Sequence, residues 1–301
     1  SFGMAADQLA TEEQQKESLP KRTDKAESKT ENGSLMVVQK NTSILVGANG
    51  RRLGYGSWEE VTLLAAGGDQ ESGLMLSFRD AVKNEHQVDP NTAARFLRAR
   101  KGHLEKTLKM FRAERAWRAA ESVDEALTEP PPAVDDALRA GFNPILLNEK
   151  DKLGRPIVFA SVGDLDVGAL TKQGVTTQML MRRTVRESER MRLAVEASAA
   201  PLVGHLLIQD IRHCTVGKFL RSTKFFSGQA KVSQDYYPEL LGQLLCLRGP
   251  PAAAWAVSQA KRFLDKETGA KIRLEVGDPR APLLELVDAD VAEKIIGMLK
   301  P

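Results

Sequence analysis

Cysteine is scarce: Cys214 and Cys246 are the only two in 301 residues. Two thiols in so long a chain make no disulfide framework, so a reducing, cytoplasmic compartment is expected. Aromatic residues reach only 5 %, too few for the stacking platforms of single-strand nucleic-acid binders. Charge of one sign is lacking too. There are 43 basic and 40 acidic residues, a formal +3, so any electrostatic function must come from local clusters and no nucleic-acid partner is expected. No apolar run approaches the ~20 residues of a membrane-spanning helix. The N-terminus is polar and charged, without the pattern of a signal peptide. Glycine-rich dinucleotide loops, P-loops and G-x-S-x-G elbows are missing. The four histidines, His86, His103, His205 and His213, show no metal-ligand spacing. Neither a metal nor a cofactor is expected.

What is present starts with length, which suffices for a large domain and a small one. Residues 1–34 hold almost no large apolar side chains and read as disordered. In 35–70, SLMVVQKNTSILVG has room for short strands and GANGRRLGYGS is rich in turn residues. Residues 1–70 therefore read as an extension, with order expected from Glu71. There SGLMLSFRDAVKNEH places Leu74, Phe78 and Val82 at helical spacing. Asp89-Pro90 is a helix start, because Asp caps free amides and Pro suits the first turn. A second helix begins near His103, with Leu104, Leu108 and Phe111 as its apolar stripe and Glu105, Lys109 and Arg112 opposite. A Gly102 turn joins the two as an αα-hairpin. Arg95–Arg118 holds nine Lys or Arg against two Glu, and most of this charge is expected on solvated faces. The helical module spans 71–128, and Glu129 to Pro132 reads as a linker.

From 135 to 301 the pattern changes. Strands are expected in RPIVFASVG, GHLLIQDI, QLLCLRG and AKIRLEV, alternating with helices over 176–199, 217–240, 251–264 and 283–299. Such alternation predicts an α/β domain with a mostly parallel sheet and flanking helices. Ligands in open sheets of this kind sit at the carboxyl ends of strands.

Two segments carry candidate chemistry. HCTVGKFLRS (213–222) follows a strand and opens a helix, as the H-C-x-x-G-x-x-R cradle of cysteine phosphatases does. His213, Cys214 and Gly217 fit, but Leu220 stands where the Arg belongs and Arg221 comes one residue late. That offset turns the guanidinium by roughly 100° on a helix, away from the cradle. In FLDKETGAKI, Thr268 and Lys271 share a face if the segment is a helical turn, and a hydroxyl with an ammonium suits a phosphate. Glu239, after Pro238, is a lone acid at a helix end, where the dipole favours cations. It is an ordinary surface residue or holds a ligand hydroxyl or a cation.

Together, RFLRARKG…AWR, DKLGRPIVF, SQDYYPELLG and FLDKETGAKI, in that order between about residues 71 and 290, resemble the CRAL-TRIO lipid-binding family. The likeness is to its phosphatidylinositol transfer proteins in particular. It implies a small helical module packed on an α/β domain that encloses an apolar pocket. It also implies a mobile gate helix at 251–264 and a non-enzymatic role in moving lipid between membranes. The inositol-phosphate positions of the family fall on Arg100, Pro156, Glu239, Thr268 and Lys271. Arg and Lys would offset a phosphate's charge, Thr would add a hydrogen bond, and Glu would accept from inositol hydroxyls. Choline-lipid binders add an aromatic cage and strand hydroxyls. Here the aromatic positions are Leu147 and Val158 and the hydroxyl positions His205 and Leu207; only Ser233 is kept. The resemblance thus favours phosphatidylinositol as ligand of a monomer that docks transiently on anionic membranes, with RRTVRESERMR (182–192) as a second basic surface. A carrier or sensor of another hydrophobe, isoprenoid or tocopherol-like, is the alternative. The C-terminal EKIIGMLKP departs from the family pattern.

Overall fold

A computed structural model of the chain describes residues 26–29, 35–39, 42–46, 52–129, 135–141, 143–250, 253–262 and 266–299. Before residue 47 the apolar runs Leu35–Gln39 and Thr42–Val46 form strands, and so does the polar Ala26–Lys29. β1 (Ala26–Lys29), β2 (Leu35–Gln39) and β3 (Thr42–Val46) make an antiparallel sheet in that order. β1 falls within the stretch expected to be disordered; it pairs with β2, Ala26 opposite Val38.

Order in the helical module starts before Glu71. An additional helix, α1 (Trp58–Ala66), precedes α2 (Gln70–Val82). Ser57 caps α1 by accepting from the Glu60 amide at 3.2 Å, and the Glu60 carboxylate takes the Gly56 amide at 2.7 Å. This Ser-x-x-Glu reciprocity is a helix-start signal that the sequence carried. α3 (Pro90–Ala99) begins where Asp89-Pro90 placed it, with Asp89 accepting from the Thr92 amide. α4 (Leu104–Ala120) completes the hairpin. Its Phe111 meets Phe78 and Phe96 edge-on, each at 5.2 Å, in a core shared with Met75, Val82 and Leu108. The proposed linker at 130–132 lies outside the described residues.

After α5 (Asp135–Gly141) comes the main sheet: β4 (Ile145–Lys150), β5 (Pro156–Ala160), β6 (His205–Asp210), β7 (Leu241–Leu247) and β8 (Ile272–Leu274). Spatial order follows chain order. β5 to β8 are parallel, and β4, which the sequence pattern did not announce, adds an antiparallel edge. The helices are α6 (Val167–Lys172), α7 (Thr177–Glu196), α8 (Val216–Tyr236), α9 (Ala253–Lys261), α10 (Lys266–Ala270), α11 (Arg280–Leu286) and α12 (Ala289–Met298). The single C-terminal helix expected over 283–299 is thus two, broken at Val287, which is extended at ψ 164.

Strand periodicity sorts the domain into two sides. Ile157, Phe159, Leu206, Ile208, Leu245 and Leu247 pack against Leu283, Val287, Val291 and Ile295 of the C-terminal helices. The alternate residues Val158, Ala160, His205, Leu207, Gln209, Leu244 and Cys246 face the opposite way, where α7, α8 and α9 leave a cavity.

The basic stretch is less solvated than expected. Arg95 and Arg118 are buried and Arg98 nearly so. Arg95 pairs with Glu196 and Arg118 with Glu189, both on α7, while Arg98 grips Glu71 with two nitrogens. Arg95 and Arg118 fasten the module to the α/β domain, aided by Trp117 stacked on Tyr236 at 4.1 Å, while the Arg98–Glu71 pair holds the module itself together.

Candidate functional site

The sheet face opposite α11 and α12 floors a cavity of about 730 Å³. Phe219 and Phe226 of α8, Met191 of α7 and Val257 of α9 supply apolar walls. Ala253 and Val257 are the small inward residues of α9, and Trp255 sits over Phe219 edge-on at 6.0 Å. A helix is present over Ala253–Lys261, where the gate was expected, while 251–252 and 263–265 lie outside the described residues.

At one end the cavity opens between the α3–α4 turn, the α8–β7 junction and α10. Arg100, Glu239, Thr268 and Lys271 all line it there, with Ser233 nearby on α8. Four residues separated by up to 171 positions in sequence thus share one opening. Exposed Lys101 and Glu267 pair at 3.0 Å across this mouth, tying the hairpin turn to α10.

Each of the four is positioned by local structure. Arg100 ends α3, just before the left-handed Lys101 and Gly102, and its Nη1 donates to the Ala99 carbonyl at 3.0 Å. No carboxylate pairs with it among the described residues, in contrast to Arg95, Arg98 and Arg118. Thr268 sits in the α10 turn, and Lys271 follows one residue after it ends, its amide donating to the Thr268 carbonyl at 3.1 Å. The helical turn assumed from the spacing is real. Lys271 Nζ donates to the Leu241 carbonyl at 2.9 Å and lies 3.4 Å from Glu239 Oε2. Glu239 has φ 57, a left-handed conformation that a non-glycine residue adopts at a cost. The junction is tight: a Cβ on Gly242 would lie 2.1 Å from the Val203 carbonyl, so only glycine lets β7 start so close to β6.

Pro156 does not join them. It is buried at the head of β5, opposite Lys150, and does not line the cavity. It follows the Asp151–Arg155 turn, where Asp151 accepts from the Leu153 and Arg155 amides. Of the choline-lipid positions, Val158, His205 and Leu207 line the cavity, whereas Leu147 is buried on the other side of the sheet.

The cavity also holds polar groups that the sequence pattern did not single out. Thr184, Glu187 and Ser188 of α7, together with Met191, form one inward stripe at i, i+3, i+4 and i+7. Their spacing was legible, but the surrounding arginines drew the segment toward a basic surface. That surface is not free. Arg182 binds Glu129, Arg183 bonds Asn143, Arg190 pairs with Glu187, and Arg192 pairs with Glu189 and Glu196.

The phosphatase alternative fails on geometry and charge. Arg221 is held by Asp166 at 2.8 Å. Burial pushes the Cys214 thiol up, with Lys218 only partly offsetting it, the reverse of an activated thiolate.

Comparison with known proteins settles the family. The model of the CRAL/TRIO domain matches residues 143–297, more than half of the chain. The chain belongs to the CRAL/TRIO family. Relatives of this CRAL/TRIO protein include the Sec14 cytosolic factor of Schizosaccharomyces pombe. It is 28 % identical over 209 residues that span 68 % of this chain and 72 % of the relative. The phosphatidylinositol/phosphatidylcholine transfer protein SFH7 of Arabidopsis thaliana is 26 % identical, over 75 % of this chain and 42 % of that longer protein. Among solved structures, Sfh5 superposes with a TM-score of 0.53 at 14 % identity, covering 68 % of this chain and 79 % of that one. This likeness concerns the fold alone. Among the described residues of this CRAL/TRIO chain, no helix is long and apolar enough to cross a membrane.

Proposed function

We propose that this chain binds phosphatidylinositol and carries it between membranes without covalent chemistry, as a cytoplasmic monomer that meets membranes only peripherally. The observation that carries the reading is the guanidinium of Arg100. Arg100 lines the cavity without a carboxylate partner among the described residues, and Lys271, Thr268 and Glu239 line the same cavity. Two cations and a hydroxyl suit a phosphate diester; a carboxylate suits the hydroxyls of an inositol ring. The relatives with Sec14 and phosphatidylinositol/phosphatidylcholine transfer names support the same class of cargo. Choline lipid is disfavoured, because Val158 and Leu207 offer neither ring nor hydroxyl and Leu147 is turned away.

Acyl chains would occupy the apolar end, each buried methylene contributing about 0.8 kcal/mol. Desorption into water is then slow, so α9 must open at a membrane. The outer surface there suits such contact: Val216, Leu220 and Trp255 are exposed apolar side chains at the gate and the adjoining end of α8.

Lys271→Ala tests the site. Loss of a charge-assisted contact of about 1.5–3 kcal/mol lowers transfer of labelled phosphatidylinositol at least tenfold. The melting temperature falls by a few degrees at most, because the variant loses one hydrogen bond of about 1 kcal/mol, to the Leu241 carbonyl, and a Glu239 pair that is long at 3.4 Å. Full transfer by the variant refutes the reading. An isoprenoid or tocopherol-like molecule found in the purified protein by native mass spectrometry replaces it.

A further inference from the structure

His205 is a buried, polar side chain inside an otherwise apolar sheet face. It opens β6, is 4 % exposed, and lines the cavity. Its backbone amide donates to the Leu240 carbonyl at 2.9 Å, and its ring Nδ1 lies 2.7 Å from the same oxygen. A carbonyl oxygen only accepts, so Nδ1 carries the proton. Burial pushes the imidazole down to about 4; the Leu240 bond opposes this and the nearby charges of Arg155 and Lys271 reinforce it. The ring is therefore neutral at physiological pH, and Nε2 is a bare lone pair. That atom has no hydrogen-bond partner among the described residues, and it is not sealed within protein. His205 lines the cavity next to the Glu239–Lys271 end, to which its bond with the Leu240 carbonyl ties it.

The direction of this hydrogen bond has a consequence. The family resemblance puts a hydroxyl at position 205, a group able to donate to a lipid phosphate. A neutral imidazole already donating through Nδ1 can only accept through Nε2. A diacyl choline lipid offers no donor: its phosphate and ester oxygens accept, and its quaternary ammonium has no N–H. Placing such a lipid here sets acceptor against acceptor, and leaving a buried acceptor unpaired costs free energy. An inositol lipid brings several hydroxyl donors.

We propose that His205 is a specificity-determining acceptor whose Nε2 takes a hydrogen bond from a hydroxyl of the bound lipid, restricting the cargo to lipids with hydroxyl donors at their polar end. For inositol lipids this rests on the function proposed above, and it makes the selectivity an active property of the cavity, beyond the missing choline cage.

The decisive measurement is nitrogen NMR of the histidine side chains in the full-length protein. The probes are phosphatidylinositol, phosphatidylcholine with the same acyl chains, a long-chain alcohol and its parent alkane. The lipid-free protein should show His205 as the Nδ1–H tautomer. Phosphatidylinositol should shift Nε2 toward a hydrogen-bonded acceptor without protonating it, and phosphatidylcholine should not. If phosphatidylinositol does not bind at all, the function proposed above fails, and the alcohol and alkane decide the role of His205. A response to the alcohol alone sustains it. A response to both, to neither, or binding of no hydroxylated probe overturns it. So does protonation of Nε2 in the lipid-bound state.

Variants give a second readout. His205→Leu should reduce the preference for phosphatidylinositol over phosphatidylcholine roughly three- to tenfold, the worth of one net hydrogen bond. His205→Gln, which can donate to Leu240 and still accept, should retain it. An unchanged preference in folded His205→Leu overturns the proposal; if that variant does not fold, the wild-type spectra decide.

Discussion

Glu239 shows a stability cost held at a cavity-lining position. Its φ of 57 belongs to the region that glycine enters freely and other L-residues enter at about 1–2 kcal/mol. Its pairing with Lys271 at 3.4 Å is loose and returns about 0–1 kcal/mol. Glu239→Gly should therefore melt at the same temperature as the wild type or higher, while inositol-lipid transfer falls at least tenfold. A clear drop in melting temperature would show that the side chain holds the α8–β7 junction instead. Glu239, Arg100, Thr268 and Lys271 were legible because each stands in a short run whose neighbours fix its place. Pro156 stood in an equally familiar run, yet it is buried at the head of β5 and does not line the cavity. The role of His205 was not legible, because it depends on which ring nitrogen meets the Leu240 carbonyl. Only the β6–β7 register, His205 opposite Leu241, sets that.

The elements differ in how firmly they are held, and α9 is held less firmly than α7. Nine residues long, it covers the opening through Ala253, Val257 and the Trp255–Phe219 contact. α7, by contrast, buries Leu180, Val185 and Val195 and joins five buried or half-buried ion pairs through Glu187, Glu189 and Glu196. Local opening follows buried contact, so the α9 amides should exchange hydrogen much faster than those of α7. Trp255→Ala should speed α9 exchange further without moving the α7 rates. Equal protection of the two helices would argue against a gate. Long helices and the parallel strands could be read from sequence because their apolar period repeats often enough to be distinctive. β4 could not, since Ile-Leu-Leu followed by Asn-Glu-Lys has no clean alternation. α1 was missed beside a glycine-rich turn, although the Ser57–Glu60 pair marked its start. The break between α11 and α12 follows from two extended residues, Val287 and Asp288, inside an otherwise continuous apolar period.

At the scale of the molecule, the helical module and the α/β domain are joined by charge as much as by apolar packing. Arg118 reaches Glu189 with two nitrogens, at 2.8 and 3.0 Å, and both side chains are buried. Tyr237 donates to the same carboxylate at 2.8 Å and Arg192 at 2.9 Å. This junction also fixes the site, because Arg100 comes from the module while Glu239 and Lys271 come from the domain. Burial alone would raise the pKa of Glu189, but Arg118 and Arg192 more than cancel it and hold the carboxyl below its ordinary value. Glu71 behaves alike: burial opposes its charge and Arg98 prevails. A carboxylate depressed in the folded state stabilises fully above its unfolded pKa and loses that stabilisation as pH falls through the folded value. Stability should therefore fall in acid below the ordinary glutamate range. Glu114, held up mainly by burial, works in the opposite sense and softens the first part of the fall. Glu189→Gln should cost about 3 kcal/mol at neutral pH, the low end for removing one partner of a buried pair, because Glu114 and Asp124 still face Arg118. The variant should also lose less stability than the wild type on acidification, since one linked carboxylate is gone. Urea titrations at neutral pH and below the glutamate range measure both effects. A parallel acid dependence in the two proteins would mean that the charge of Glu189 does not hold the module in place.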